Sequence, residues 1–199
     1  MSVKIKALLF AAALSAALAA PAAEEIALPA AQKTGGMPLM DALAARHSER
    51  AWDRKPLSDQ ELSNLLWAAF GVNRPNGKRT IPTAMNRKEL IVYVSRADGV
   101  WRYEPEGEKL VKASGPGPSQ LRDAPDVLLF AILDRQQYGP YHAGLAAQSA
   151  GLYCASAGLA CVVRAFPVRD ALASDPKAFS FLPEGWKPSI TLHAGHAPQ

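Results

Sequence analysis

Residues 127–133 read Val-Leu-Leu-Phe-Ala-Ile-Leu, without one polar side chain. A strand with one wet face would alternate apolar and polar residues. An unbroken apolar run fits a strand buried on both faces, and such a strand needs a layer of structure packed on each side. The chain must therefore supply helices or further strands to cover both.

Two helices are well marked. Ser58 is a good N-cap, and Glu61 three residues later completes a capping box. Leu62, Leu65, Leu66, Ala69 and Phe70 then recur at helical spacing on one face, and Gly71 is expected to end the helix as its C′ residue. Residues 141–157 are rich in Ala, Gly and Ser, with Gly144 and Gly151 seven apart. Small side chains let another helix approach closely, so this reads as a central or interface helix, ended by Gly158. A shorter helix is expected over 39–46 and another over 168–173.

Strands are expected over 89–95 and 100–103, joined at Asp98-Gly99, a hairpin signal. A short strand over 109–112 follows the turn at 105–107. Strands over 159–164 and 189–194 complete the set. The long polar loop 72–85 is of a length that compact domains keep for function. Helices and strands are mixed without regular alternation, which points to an α+β fold in one domain.

The first 22 residues read as a secretory signal peptide. Lys4 and Lys6 precede an uncharged apolar run over 7–20, and Ala20-Pro21-Ala22 offers a cleavage site. The run is too short for a stable membrane anchor, so a periplasmic or secreted protein is expected. Residues 23–36 read as an extended arm rather than a packed element, and residues 37–199 as the domain. The net charge of +4 falls to about +2 without the two leader lysines, too little to argue for nucleic acid. Cys154 and Cys161 fit no metal or redox spacing and are expected as two small buried thiols rather than a bridge. His142, His193 and His196 have no Asp, Glu or Cys placed nearby in sequence to complete a metal site, and none is expected.

Chemistry concentrates in two segments. Arg46-His47-Ser48-Glu49-Arg50 gathers two guanidiniums, an imidazole and a hydroxyl, donors that suit phosphate oxygens. A solvated basic helix end is the plain alternative. Thr80-Ile81-Pro82-Thr83-Ala84-Met85-Asn86 offers hydroxyls and a carboxamide in a loop.

These segments, in this order, resemble the nitroreductase superfamily, and the short SagB-type dehydrogenases within it. The resemblance extends through Pro56-Leu57-Ser58, Gly71-x-Asn73-Arg74, Gly99-Val100-Trp101-Arg102-Tyr103, Ala124-Pro125 before the apolar strand, Ala146-Ala147-Gln148 and Gly195-His196-Ala197-Pro198. It covers about 165 residues. It implies a nitroreductase-like fold with a mixed, mainly antiparallel sheet, flanking helices and a homodimer. It also implies FMN as cofactor. Arg46 and Ser48 would hold its phosphate, with His47 beside the ribityl chain and Arg50 near the pyrimidine side of the ring. Pro82, Thr83, Ala84 and Asn86 would approach from the partner subunit, and the backbone of Val163, Arg164 and Ala165 would face flavin N5. Tyr138 and Tyr141 are candidates for a substrate pocket, with plain surface tyrosines as the alternative.

Two departures from the family pattern stand out. Ala165 occupies a position that is often Gly. Many relatives also end in a Lys or Arg that closes on the phosphate, and residues 188–199 carry neither. The implied activity is two-electron, ping-pong transfer through the flavin, with no obligatory side-chain catalyst, from a small-molecule donor to a nitroaromatic, quinone or similar acceptor. A flavin-binding protein without turnover and an empty dimeric scaffold stay open as alternatives.

Overall fold

The computed structural model describes residues 23–198, so the leader assigned to 1–22 lies outside the described residues. The apolar run forms β5 (Asp126–Leu133), an interior strand of a seven-stranded sheet. Around it are β1 (Glu25–Ala27), α1 (Leu39–Ala45), α2 (Asp59–Phe70), β2 (Leu90–Arg96), β3 (Gly99–Glu104), β4 (Lys109–Ser114), α3 (Gly139–Ala157), β6 (Leu159–Arg164), α4 (Phe166–Ser174) and β7 (Trp186–His196). The strand order is β1-β4-β3-β2-β5-β7-β6.

Every pairing is antiparallel, so the expected mixed sheet is corrected. The connections explain it. Hairpins join β2, β3 and β4. The excursion through α3 returns β6 in the same direction as β5, but β7 fills the slot between them and runs against both.

Alternate residues of β5 feed two cores, as period-2 geometry requires. Leu128, Phe130 and Ile132 meet Leu62, Leu65 and Leu66 of α2 and the alanines of α3. Val127, Leu129 and Ala131 meet Val168 and Ala171 of α4, Leu121 and Phe179. Each fully buried leucine contributes roughly 1.5–3 kcal/mol relative to exposure, which is why a strand with no polar position is tolerated here.

The capping box at Ser58 forms. The Glu61 amide donates to the Ser58 hydroxyl, and the Glu61 carboxylate accepts from the Ser58 amide at 2.8 Å. Gly71, expected as a left-handed C′ residue, instead has φ −69°, ψ 163°. Its lack of a side chain has another cause: the Trp67 indole folds over it to donate to the Val72 carbonyl, and a Cβ there would lie 2.3 Å from that ring. Gly158 does adopt the left-handed region, at φ 68°, and ends α3.

The arm is also corrected. Glu25–Ala27 pairs with β4, and beyond it Leu28 and Ala31 are buried. The Ser63 hydroxyl donates to Pro29 and the Gln32 amide to Asn64, so the segment is strapped onto α2. β7 is longer than its expected 189–194, beginning at Trp186. A bulge between its pairings with Phe130 and Ala131 lets Pro188 enter a strand without breaking the ladder. Cys154 on α3 and Cys161 on β6 are buried free thiols.

Candidate functional site

The Arg46–Arg50 segment leaves α1 and runs beside β6. The Arg46 amide closes the helix by donating to Ala42, and the Glu49 amide donates to the Cys161 carbonyl at 2.9 Å. The Arg46 side chain lies on α3 at Gly151, where even a methyl group would sit 3.9 Å from its Cδ. That is an ordinary van der Waals distance, so the Arg46 stem rests against α3 here without depending on the missing side chain.

The two guanidiniums of this segment are left without a carboxylate partner. Among the described residues, Arg46 and Arg50 enter no ion pair, a state they share with Arg54, Arg74, Arg122 and Arg135, whereas Arg79, Arg87, Arg96, Arg102, Arg164 and Arg169 each face a carboxylate. What sets Arg46 and Arg50 apart is that a hydroxyl lies between them in one short segment. Glu49, the acid between them, is turned onto its own backbone and accepts from the amides of Arg50 and Ala51 at 2.8 and 3.0 Å. The Ala51 and Arg50 amides hold its carboxyl below the usual value. Arg50 reaches only the Ser48 carbonyl, at 3.5 Å. His47 is exposed and bonds the Ala45 carbonyl through Nδ1 at 2.8 Å, and Ser48 is exposed. Two guanidiniums and a hydroxyl are therefore left to an outside anion. A cavity of about 210 Å³ opens among Ala45, His47, Glu49, Gly158 and Cys161.

Two residues beyond Cys161 the sheet ends in an open apolar shelf. Val163 is 46% exposed and Phe166 49%, with Ala165 exposed between them. Ala165 has φ −104°, ψ −31°, a conformation open to any L-residue, so the departure from Gly introduces no strain. Arg164, by contrast, is not free for a ligand. Its guanidinium is ion-paired with Asp123 and lies over both Trp52 and Phe166, each 5.5 Å from its carbon. Only its backbone remains for a cofactor, and the backbone is the part the family resemblance implies would be used.

The second segment sits elsewhere. The Ala84 amide donates to His142 Nε2 at 2.9 Å, near the start of α3. From His142 to Gly151 is nine helical residues, about 14 Å. One chain thus does not bring Pro82–Asn86 to Arg46. Tyr138 and Tyr141 stand exposed at this same N-terminal end, away from the cation corner. Burial keeps the His142 imidazole below its usual pKa despite the pull of Glu89, so it stays neutral and can accept from Ala84.

This loop carries a feature that sequence reasoning missed. Met85, Asn86 and Lys88 have φ of 51°, 55° and 55°. Three non-glycine residues within four positions occupy the left-handed region, at a cost of about 1 kcal/mol or more each. Asn is an accepted signal for that conformation, but Met and Lys are not, so only Asn86 offered a clue. Thr83 steadies the turn by accepting from Lys88 at 3.3 Å. Such strain clusters at ligand clamps.

His193 and His196, three apart on a strand, point to opposite faces. His193 meets Asp123, and His196 meets Glu61 at 3.0 Å.

Comparison with known proteins places this geometry. The nitroreductase family model matches residues 43–196. The fold is similar to a candidate nitroreductase from Ralstonia eutropha JMP134, with a TM-score of 0.77 and 35% identity over 88% of this chain and 90% of that one. A nitroreductase with bound FMN from Bacteroides fragilis NCTC 9343 shares the fold at a TM-score of 0.58 and 16% identity, over 80% of this chain and 88% of that one. Among curated proteins, a candidate nitroreductase from Methanocaldococcus jannaschii is 38% identical over 80 residues, 37% of this chain and 40% of that protein's length. With one family model spanning both the cation corner and the end of β7, the chain belongs to the nitroreductase family, a family of oxidoreductase enzymes.

Proposed function

We propose that the protein is an exported, homodimeric, FMN-dependent oxidoreductase that passes two electrons from a small donor to a nitroaromatic, quinone or similar acceptor. The observation that carries this reading is the unpaired cation corner, Arg46 and Arg50, on the same sheet edge as the apolar shelf of Val163, Ala165 and Phe166. FMN-bound neighbours of the same fold support it.

The residues fit that cofactor. Arg46 and the Ser48 hydroxyl would hold the phosphate dianion, since among the described residues no carboxylate pairs with Arg46 first. Arg50 would lie by the pyrimidine edge, where a cation favours a negative charge on the ring. The shelf would take the flat ring, with the Arg164–Ala165 peptide along its reactive edge. Bound there, the flavin would supply reversible two-electron transfer through N5.

The separation of the two segments along α3 supports a site completed by a second copy. Met37, Leu39, Met40 and Leu43 around α1 and Tyr141 and Leu145 on α3 are exposed apolar residues, a surface of the kind subunits cover. Thr83 and Asn86 of the partner subunit would then reach the ring or ribityl chain. Export is inferred from the leader pattern and implies a donor other than the cytosolic nicotinamides.

The test is direct. The mature protein, incubated with FMN and dialysed, should keep flavin absorbance at one FMN per chain, and a dithionite-reduced sample should be reoxidised by a quinone. A colourless protein after dialysis would sink the flavin reading.

A further inference from the structure

Asp123, His193 and Thr191 form a chain of contacts behind the shelf, and nothing in the proposed reaction yet uses it. His193 is fully buried. Its Nδ1 lies 2.5 Å from Asp123 Oδ1, and its Nε2 lies 2.9 Å from the Thr191 hydroxyl. That hydroxyl is also 3.0 Å from the Arg164 carbonyl, with geometry for donating to it. Asp123 holds the Arg164 guanidinium as well. Arg164 is therefore held at its side chain by Asp123 and faced at its carbonyl by Thr191, two members of one connected set of groups.

Counting protons exposes a choice. A threonine hydroxyl has one hydrogen. A carboxylate only accepts, so Nδ1 must carry a proton toward Asp123. If His193 is neutral, Nε2 is bare and takes the Thr191 hydrogen, leaving the Arg164 carbonyl without it. If His193 is cationic, Nε2–H donates to Thr191, and the hydroxyl is released to donate to Arg164. The Arg164 carbonyl and the Ala165 N–H belong to one peptide unit. A hydrogen bond into the carbonyl polarises that unit and strengthens its N–H as a donor.

We propose that Thr191 and His193 are positioning residues that set the donor strength of the Ala165 N–H, with the proton on His193 deciding which way the Thr191 hydroxyl points. The role toward the cofactor rests on the flavin reading above. The hydroxyl toggle does not. The groups around His193 are few. Asp123 faces it from the segment before β5, Arg164 stands behind Asp123 from β6, and the Trp52 ring stacks at 6.3 Å from the segment after α1. β5 and β6 place Val127 and Val162 opposite it, and α4 adds Val168 and Ala171 to that side. Burial pushes the imidazole pKa down, and Asp123 pushes it back up. Neutral His193 is the resting form, and the cation is the form a negative charge near Ala165 would favour.

The experiment follows the Ala165 amide and the His193 ring nitrogens by nitrogen-15 NMR across pH in the full mature protein. Ala165 is assigned by loss of its signal in Ala165→Gly. In the native protein the Ala165 amide proton should move downfield with the same midpoint as His193. Thr191→Val should abolish that movement while His193 still titrates, and Thr191→Ser should restore it. With FMN added, Thr191→Val should change the ratio of affinities for reduced and oxidised FMN several-fold, with the oxidised form still held by Arg46 and Ser48. An amide that ignores His193, or follows it unchanged in Thr191→Val, overturns the toggle. Should Thr191→Val fail to fold, Asp123→Asn at the half-exposed end serves instead: both midpoints should fall together, and separate midpoints overturn the proposal. A native protein that binds no FMN while its amide follows His193 overturns the flavin reading and leaves the toggle standing.

Discussion

The two ends of α3 are prepared for a ligand by different physics. At its C-terminal end the backbone is relaxed and the preparation is electrostatic: Arg46 and Arg50 stay unpaired while Glu49 turns one oxygen to its own amides and the other toward His47. At its N-terminal end the charges are ordinary and the preparation is conformational: Met85, Asn86 and Lys88 are held in left-handed backbone, tied down through Ala84 and His142. The difference teaches which costs fall on which half. The cation corner should matter to binding and little to folding. The strained turn should matter to folding as well.

The largest effect should come from Arg46→Ala. Losing a charged hydrogen-bonding partner costs about 1.5–3 kcal/mol, which is a roughly ten- to hundredfold weaker FMN affinity by equilibrium dialysis, with an unchanged melting temperature. The same variant can break the comparison. In a mixed dimer of Arg46→Ala with Asn86→Ala, a site shared between subunits gives one wholly native site and one doubly altered. FMN uptake should recover to about half of the native amount. No recovery would mean that each chain builds its own site.

A smaller effect is expected at the other end. His142→Leu leaves the Ala84 amide without its acceptor, at a cost of about 1–3 kcal/mol in chemical denaturation. The pH dependence has a definite sign. Because the His142 pKa is lowered from 6.5 in the fold, the unfolded chain takes up the proton more readily. Its contribution to stability is complete above that value and declines as pH falls through it. His193 is lowered also and adds to the decline. The acid-side loss should shrink in His142→Leu, and an unaltered pH profile would remove His142 from the account. The smallest effect is Met85→Gly. Relief of left-handed strain and the added freedom of the unfolded chain nearly offset, so stability should change by less than about 1 kcal/mol. A large loss would show that the Met85 side chain, 71% exposed, is held by something else.

Much of this was readable in the chain because the signals are local. The capping box at Ser58, the β2–β3 hairpin and the apolar run of β5 depend on neighbours within a few residues. The cap and the run stand where the pattern placed them. The hairpin turns one position earlier than Asp98-Gly99, at Ala97-Asp98, with Gly99 already paired to Arg96. β1 was hidden because three residues in an Ala- and Pro-rich stretch carry no periodicity, and its partner lies in β4, some eighty positions on. The strain in residues 85–88 was hidden because no glycine announces it. The contact of His193 with Asp123 joins residues 70 apart, a distance at which spacing says nothing. In the site, the cation cluster was legible from composition. Its freedom from acids was not, because that depends on where Glu49 turns.

β7 overhangs its neighbour. β6 pairs only with Thr191–His196, so the first half of β7 is bonded to β5 on one side and, among the described residues, to no strand on the other. An uncovered ladder in the middle of a hydrophobic sheet is a template on which another polypeptide could extend. Pro188, admitted by the bulge, and Lys187 beside it remove a donor and add a charge at that place. The irregularity that lengthens this strand thus also guards it against misassembly, most usefully for a chain crowded among its own copies before it has finished folding.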